Sequence, residues 1–277
     1  MPPFGDWSES SSSYTPSLIA EIQVSDWSVR ALAFSPDDTA YATGADDGTV
    51  EITRSGGYER ETQVLSGHTD AVMAVAFSPG GRVLATGSSD GTVRLWDAAT
   101  GEVVEVLDGF SGGATSLAFG YRGIPLAIAV GDGSVRLWDM EAGEYQEEFE
   151  WPSSGATSVA FGLDGTILAV GADSGNIALY YAATGDPYSW LEGHGDAVTD
   201  LAFSRDGQML ASASRDSTVI LWDVASGDDT RTLRHGELVG SVAFSPDGET
   251  LATGCADGKV RLWDPARGKT LETLEGH

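Results

Sequence analysis

Apolar positions fall along this chain in short runs, each closed by a cluster of turn residues. Val72–Phe77, VMAVAF, is apolar throughout and ends in Ser78-Pro79-Gly80-Gly81. Residues 83–86 form a second run, with Asp90-Gly91 soon after it, a hairpin signal because glycine admits positive φ. Residues 92–96 make a third, ended by Ala99-Thr100-Gly101; residues 102–107 make a fourth that is more polar and so reads as an edge strand. In the first strand Val72, Ala74 and Ala76 are expected to face one way, and Met73, Val75 and Phe77 the other. No stretch carries the helical period, so the chain is predicted to be all-β.

The four-strand pattern recurs. The aromatic that closes its first strand returns at Phe34, Phe77, Phe119, Phe161, Phe203 and Phe244, in steps of 43, 42, 42, 42 and 41 residues. Six copies in register are a structural repeat, not chance. A strand that is apolar on both faces needs a layer on each side. Four-stranded sheets stacked radially against like sheets supply those layers, which is a β-propeller.

The motifs within each copy resemble those of the WD-repeat family over nearly all of residues 18–277. Gly67-His68, Gly193-His194 and Gly276-His277 match the Gly-His near the start of that repeat, and His235 keeps the His alone. Trp96-Asp97, Trp138-Asp139, Trp222-Asp223 and Trp263-Asp264 match the Trp-Asp near its end. The resemblance implies a hydrogen-bonded chain of His, Ser or Thr, turn Asp and Trp inside a blade. Three sets fit: His68, Thr86, Asp90 and Trp96; His194, Ser212, Asp216 and Trp222; His235, Thr253, Asp257 and Trp263. Their role is structural, because a buried carboxylate needs donors. A set repeated in three blades is no catalytic triad.

Three copies depart from the pattern. The third has Phe110 and Ile128 in place of the His and the hydroxyl, but keeps Asp132 and Trp138. The fourth has Pro152, Val170, Ser174 and Tyr180. The first has Ser25 and Thr53 for His and Trp, with Thr43 and Asp47 kept, and its polar third strand predicts the least stable blade.

The expected architecture is six four-stranded blades, the last outer strand lying at residues 270–274, behind a flexible Ser-rich segment at residues 1–17. Residues 18–24, LIAEIQV, also read as an outer strand, ahead of the first triplet. An incomplete seven-bladed ring is therefore the alternative.

Charge changes the functional picture. The chain has 42 acidic against 15 basic residues among 277, a net charge of −27. Such a field repels a nucleic-acid backbone. Two readings of the charge stay open: adaptation to high salt, or turn-rich repeats that demand Asp at fixed places. No apolar run approaches the roughly eighteen residues of a membrane helix, and the N-terminus has no apolar h-region, so a cytoplasmic location and no membrane partner are expected. Cys255 is the only cysteine, which excludes an intramolecular disulfide, and a strand position makes it buried filler. There is no phosphate-cradling glycine loop and no metal-spaced His pair, so neither cofactor nor metal is expected.

The expected function is a non-enzymatic scaffold that binds a protein or peptide partner. Members of the resembled family bind partners on the face where first strands begin and where the turn Asp lies. Carried onto this chain, that face holds Arg30, Asp46, Met73, Asp173, Arg215 and Leu238, with Trp27 beside them. Arg30 and Arg215 are its two bases, which suggests an acidic or phosphorylated partner. Alternatives are the sensor part of a larger signalling protein, or a small-ligand or catalytic site in the central channel.

Overall fold

The computed structural model describes residues 27–56, 59–146 and 155–275. Six four-stranded antiparallel sheets follow one another along the chain, each in the order first to fourth strand. Blade 1 holds β1 (Val29–Phe34), β2 (Ala40–Ala45), β3 (Val50–Gly56) and β4 (Glu59–Leu65). Blade 2 holds β5 (Val72–Phe77), β6 (Val83–Ser88), β7 (Val93–Asp97) and β8 (Val103–Leu107). Blade 3 holds β9 (Ala114–Phe119), β10 (Leu126–Val130), β11 (Val135–Asp139) and the short β12 (Glu144–Tyr145). Blade 4 holds β13 (Ala156–Phe161), β14 (Ile167–Ala172), β15 (Ile177–Tyr181) and β16 (Pro187–Leu191). Blade 5 holds β17 (Val198–Phe203), β18 (Met209–Ser214), β19 (Thr218–Asp223) and β20 (Asp229–Arg234). Blade 6 holds β21 (Val239–Phe244), β22 (Leu251–Cys255), β23 (Lys259–Asp264) and β24 (Lys269–Glu275). A 3-10 turn at Tyr121–Gly123 is the only helical element among the described residues. The protein is thus the all-β propeller of six blades that the repeat predicts. Residues 1–17 and the strand expected at 18–24 lie outside the described residues.

In blades 2 to 5 the second and third strands are the most deeply buried, because a neighbouring sheet covers each face. In blade 2 the buried residues of one face, Ala85, Val93, Leu95 and Leu107, pack against Ala114, Leu117 and Trp138 of blade 3. On the other face Val72, Leu84 and Trp96 pack against Ala42, Val50, Ile52 and Leu65 of blade 1. The same seam recurs between blades 3 and 4, 4 and 5, and 5 and 6. The outer strands are mostly exposed, and in blades 1, 2, 4 and 5 a single buried leucine (Leu65, Leu107, Leu191 and Leu233) keeps the edge in contact with the next blade.

Small residues set the spacing of the seams. The room a side chain would need at Gly44 is filled by Val72, at Gly87 by Ala114 and at Gly171 by Val198, each from the next blade. Five seams join the six blades. Among the described residues, no apolar cluster joins blade 6 to blade 1.

One expectation about facing fails. Strict alternation places Val72 opposite Val75 and Phe77, yet all three pack on the blade 1 side. The cause is a β-bulge: Val72 pairs with Ser88 and Ala74 with Gly87, so Met73 is an extra residue. A bulge reverses the facing of everything beyond it. The first strand of every blade carries the same shift.

Candidate functional site

The bulges build one mouth of the central channel. The bulged residues are Arg30, Met73, Thr115, Thr157, Thr199 and Gly240, one from each blade. All six line a channel of about 510 Å3 bounded by the first strands. Bulges re-aim a side chain away from the ladder, and here they turn one residue per blade toward the opening. Thr157 Oγ1 donates to Val198 O at 2.6 Å and Thr199 Oγ1 to Val239 O at 2.6 Å, so these threonines tie each first strand to the next.

A second layer surrounds this ring. In every blade the residue before the turn Asp donates its backbone N–H to the residue before the first strand: Asp46 to Ser28, Ser89 to Ala71, Gly131 to Gly113, Asp173 to Gly155, Arg215 to Ala197 and Ala256 to Leu238. The turn loop of each blade is therefore pinned beside the start of its own first strand. Those bonds hold Asp46, Asp173, Arg215 and Leu238 beside the starts of the first strands, next to the bulged Arg30 and Met73.

The face is polar with apolar points. Trp27 is 60% exposed, and Met73 and Leu238 are also exposed. Arg30 and Asp46 form an ion pair, with Nη2 3.0 Å from Oδ2. That bond holds the Asp46 carboxyl below the usual carboxylate range and raises the Arg30 guanidinium. Arg30 is therefore already neutralised. Arg215 is exposed and makes no ion pair among the described residues. Asp173 is exposed on the same side.

Below the mouth, position three of each first strand lines the channel with Ala31, Ala74, Ser116, Ser158, Asp200 and Ser241. Asp200 is the exception among small groups. Its Oδ1 accepts from the Leu201 N–H and its Oδ2 from the Val242 N–H of blade 6, each at 2.9 Å. Burial raises its carboxyl to about 6 against those two bonds. Composition drew no attention to it; its register position, opposite serines in other blades, was the available signal.

Two of the three polar sets form as expected. His68 Nδ1 lies 2.9 Å from Asp90 Oδ2, its Nε2 lies 2.7 Å from Thr86 Oγ1, and Trp96 Nε1 donates to the same hydroxyl at 2.8 Å. His194, Asp216, Ser212 and Trp222 repeat this at 3.0, 2.7 and 2.8 Å. Burial alone would raise the Asp90 carboxyl, but Thr92, His68 and the Thr69 N–H hold it at about 2. Burial lowers the His68 ring below its ordinary value.

The third set is broken. His235 Nε2 meets Thr253 Oγ1 at 2.9 Å and Trp263 Nε1 donates to that oxygen at 3.0 Å. Asp257 instead accepts from Arg261, Nη1 to Oδ1 at 3.2 Å, and the His235 Nδ1 is buried without a partner. The physical reason is residue 259. In the intact sets Thr92 and Thr218 donate to the turn carboxylate and also approach the His ring. Lys259 has no hydroxyl to do either.

The departing copies keep their cores by other means. In blade 3, Phe110 and Trp138 close around Tyr145, with Arg136 above the Phe110 ring at 5.2 Å. In blade 4, Val170 and Tyr180 are buried, while Pro152 lies outside the described residues. In blade 1, Thr53 is buried and bonds Thr62 at 3.0 Å. Cys255 is only half-buried rather than filler.

The model of the WD domain, G-beta repeat, matches residues 17–52, 59–97, 101–139, 185–223 and 227–264. The chain belongs to the WD40 family. The span left unmatched contains most of blade 4, whose strands are nonetheless formed; the WD40 repeat there has lost its His, hydroxyl and Trp. WD40 domains generally serve as scaffolds that bind protein partners. No protein of curated function matches the chain in sequence. No helix among the described residues is long and apolar enough to cross a membrane, and no group of three His, Cys, Asp or Glu among them suits a metal ion.

Proposed function

We propose that this WD40 protein is a non-enzymatic platform that holds a protein or peptide partner across the channel mouth ringed by the bulged residues. The observation that carries this reading is the bulge itself: six equivalent backbone distortions present Arg30, Met73, Thr115, Thr157, Thr199 and Gly240 at one opening. Around it, Trp27, Met73 and Leu238 supply exposed apolar anchors of the size that dominates binding energy. Asp46, Asp173 and Arg215 supply polar contacts at the rim.

The sign of the partner's charge follows from the ion pair. With Arg30 held by Asp46, Arg215 is the mapped base left to meet an acidic group, so any acidic or phosphorylated residue of the partner is read in blade 5. The rest of the surface, at a net charge of −27, steers basic segments toward the protein and repels acidic ones. The partner is therefore a peptide of mixed charge.

The test compares capture by the wild type, by Met73→Ala with Leu238→Ala, by Arg215→Glu, and by Trp190→Ala on the outer strand β16. Loss of capture by the mouth variants, with retention by Trp190→Ala, supports the reading. Equal capture by all, or loss only with Trp190→Ala, overturns it.

A further inference from the structure

We infer that the central channel holds a site for a primary ammonium group, received by the carboxylate of Asp200. A lysine side chain of a partner and a free alkylamine share this chemistry. Only the first of these sources rests on the partner seat proposed above; the site itself does not.

Asp200 is the one charged residue in the second layer of the channel wall, among Ala31, Ala74, Ser116, Ser158 and Ser241. Those small side chains leave the bore open to a group entering from the mouth. Thr199, the residue before Asp200, belongs to the mouth ring, so the carboxylate lies only about 3 Å below it. Asp200 is half-buried and so reachable from the channel. Among the described residues, the other charged group of the lining is Arg30, which Asp46 already holds. The strands packed against β17, namely β13, β14, β18 and β21, carry no charged residue. The carboxylate therefore faces no free cation among the described residues.

The wall does not need this charge. Asp200 Oδ2 accepts from the Val242 N–H across the seam, and in blade 3 the Ser116 hydroxyl accepts from the Val159 N–H in the same way. A carboxylate there carries a desolvation cost that a serine does not, and burial pushes it up to about 6. What it adds is a fixed negative charge. The Leu201 and Val242 N–H groups bind one oxygen each and so fix its orientation. Each oxygen keeps a further acceptor site for the channel.

The chemistry of the wall favours an ammonium over a guanidinium. An ammonium is compact, and its three donors point apart, so one meets the carboxylate while the others reach wall hydroxyls or water. A guanidinium is planar and gains from stacking, and no aromatic ring stands in the second layer. The net charge of −27 draws cations toward the protein. A lysine's flexible four-carbon stem spans the depth from mouth to carboxylate.

The test follows the Asp200 carboxyl of the full chain by carbon-13 NMR through a pH titration. Its signal is assigned by its loss in Asp200→Ser, which copies Ser116. The probe is n-butylammonium chloride. Equal concentrations of sodium chloride and of tetramethylammonium chloride, which has the charge without N–H donors, are the controls. n-Butylammonium should lower the midpoint from about 6 to about 5 or below, because an opposite charge in contact lowers a carboxyl by about one unit or more. It should also move the Leu201 and Val242 amide resonances, and the controls should do neither. In Asp200→Ser, and in Asp200→Asn, which keeps the size without the charge, the amide response should vanish while the dispersed spectrum of the fold persists. Equal midpoints in all three salts overturn the inference, whether or not the variants fold. So does an undiminished amide response in either folded variant. The peptide acetyl-Gly-Lys-Gly-amide and its norleucine analogue then separate the sources. A lowered midpoint with the lysine peptide and not the analogue supports a partner's lysine; a response to n-butylammonium and to neither peptide supports a free amine. Partner capture by the Met73→Ala with Leu238→Ala protein is scored separately, so the amine site and the partner seat fail independently.

Discussion

Thr92 donates its hydroxyl to Asp90 at 2.6 Å, and through that bond it fixes the carboxylate that receives His68. The equivalent of Thr92 in blade 6 is Lys259, and there Asp257 has turned to Arg261. Lys259→Thr should return Asp257 to His235 and satisfy the buried Nδ1. The expected gain is about 1 kcal/mol, since one buried unsatisfied group costs about 1–3 kcal/mol and the exposed Lys259–Glu275 pair is worth little. By the same reasoning, His194→Ala should cost about 1–3 kcal/mol and His235→Ala less. Denaturant titrations of the three variants check the order; equal costs at His194 and His235 would show that the intact and broken sets do not differ.

Ser217 occupies the left-handed region, φ 68°, at a turn where the other five blades place Gly48, Gly91, Gly133, Gly175 and Gly258. A Cβ there is strained. Ser217→Gly should raise stability by about 0.5–1 kcal/mol, the relief of strain exceeding the added chain entropy. A thermal midpoint that falls on this substitution would mean that Ser217 makes a compensating contact.

Asp200 gives the fold a pH dependence of known sign. Its folded value, about 6, lies above the ordinary carboxylate value of 3.8, so the folded state prefers the protonated form. The contribution of Asp200 to stability should rise as pH falls from above 6 to about 4, and that benefit is complete below the unfolded value. Asp90 acts oppositely and lower: held at about 2, it contributes stability above 3.8 that is lost as pH falls toward 2. Asp200→Ser copies Ser116, whose hydroxyl accepts from Val159 N as Asp200 does from Val242 N. That variant should gain about 1–2 kcal/mol at pH 7–8, with the open channel discounting the full shift, and should lose the rise between pH 6 and 4. Unfolding curves at pH 4, 6 and 8 for both proteins check it.

A net charge of −27 makes the folded state repel itself, and unfolding spreads the charges apart. Sodium chloride shortens the Debye length from about 10 Å at 0.1 M to about 3 Å at 1 M. The thermal midpoint should therefore rise with salt, mostly below about 1 M. Continued gain above that range favours adaptation to high salt, while a flat profile means that turn donors and arginines already balance the acids.

Much of this was legible in the sequence because the information is periodic. The recurring Phe34-to-Phe244 series fixed the blade count, and Asp-Gly turns fixed where strands end. What alternation missed was the bulge, an extra residue with no composition of its own: Arg30, Met73 and Gly240 share a geometry but no chemistry. The loss of Asp257 from its set was missed for a related reason. The decisive residue, Thr92 or Lys259, lies outside the four-residue motif and acts only through the carboxylate beside it. The exposure of Leu32 was hidden because it looks like Leu117, Val159, Leu201 and Val242, the buried residues at the same register of the repeat.

Function rests most directly on where a partner touches the protein. Amide exchange should be measured with and without a captured partner, mapped over all six blades. Protection is expected at 28–30, 71–73, 197–199 and 238–240, around the channel mouth. Protection confined to the outer strands at 103–107, 187–191 and 229–234, with the mouth unchanged, would contradict the account.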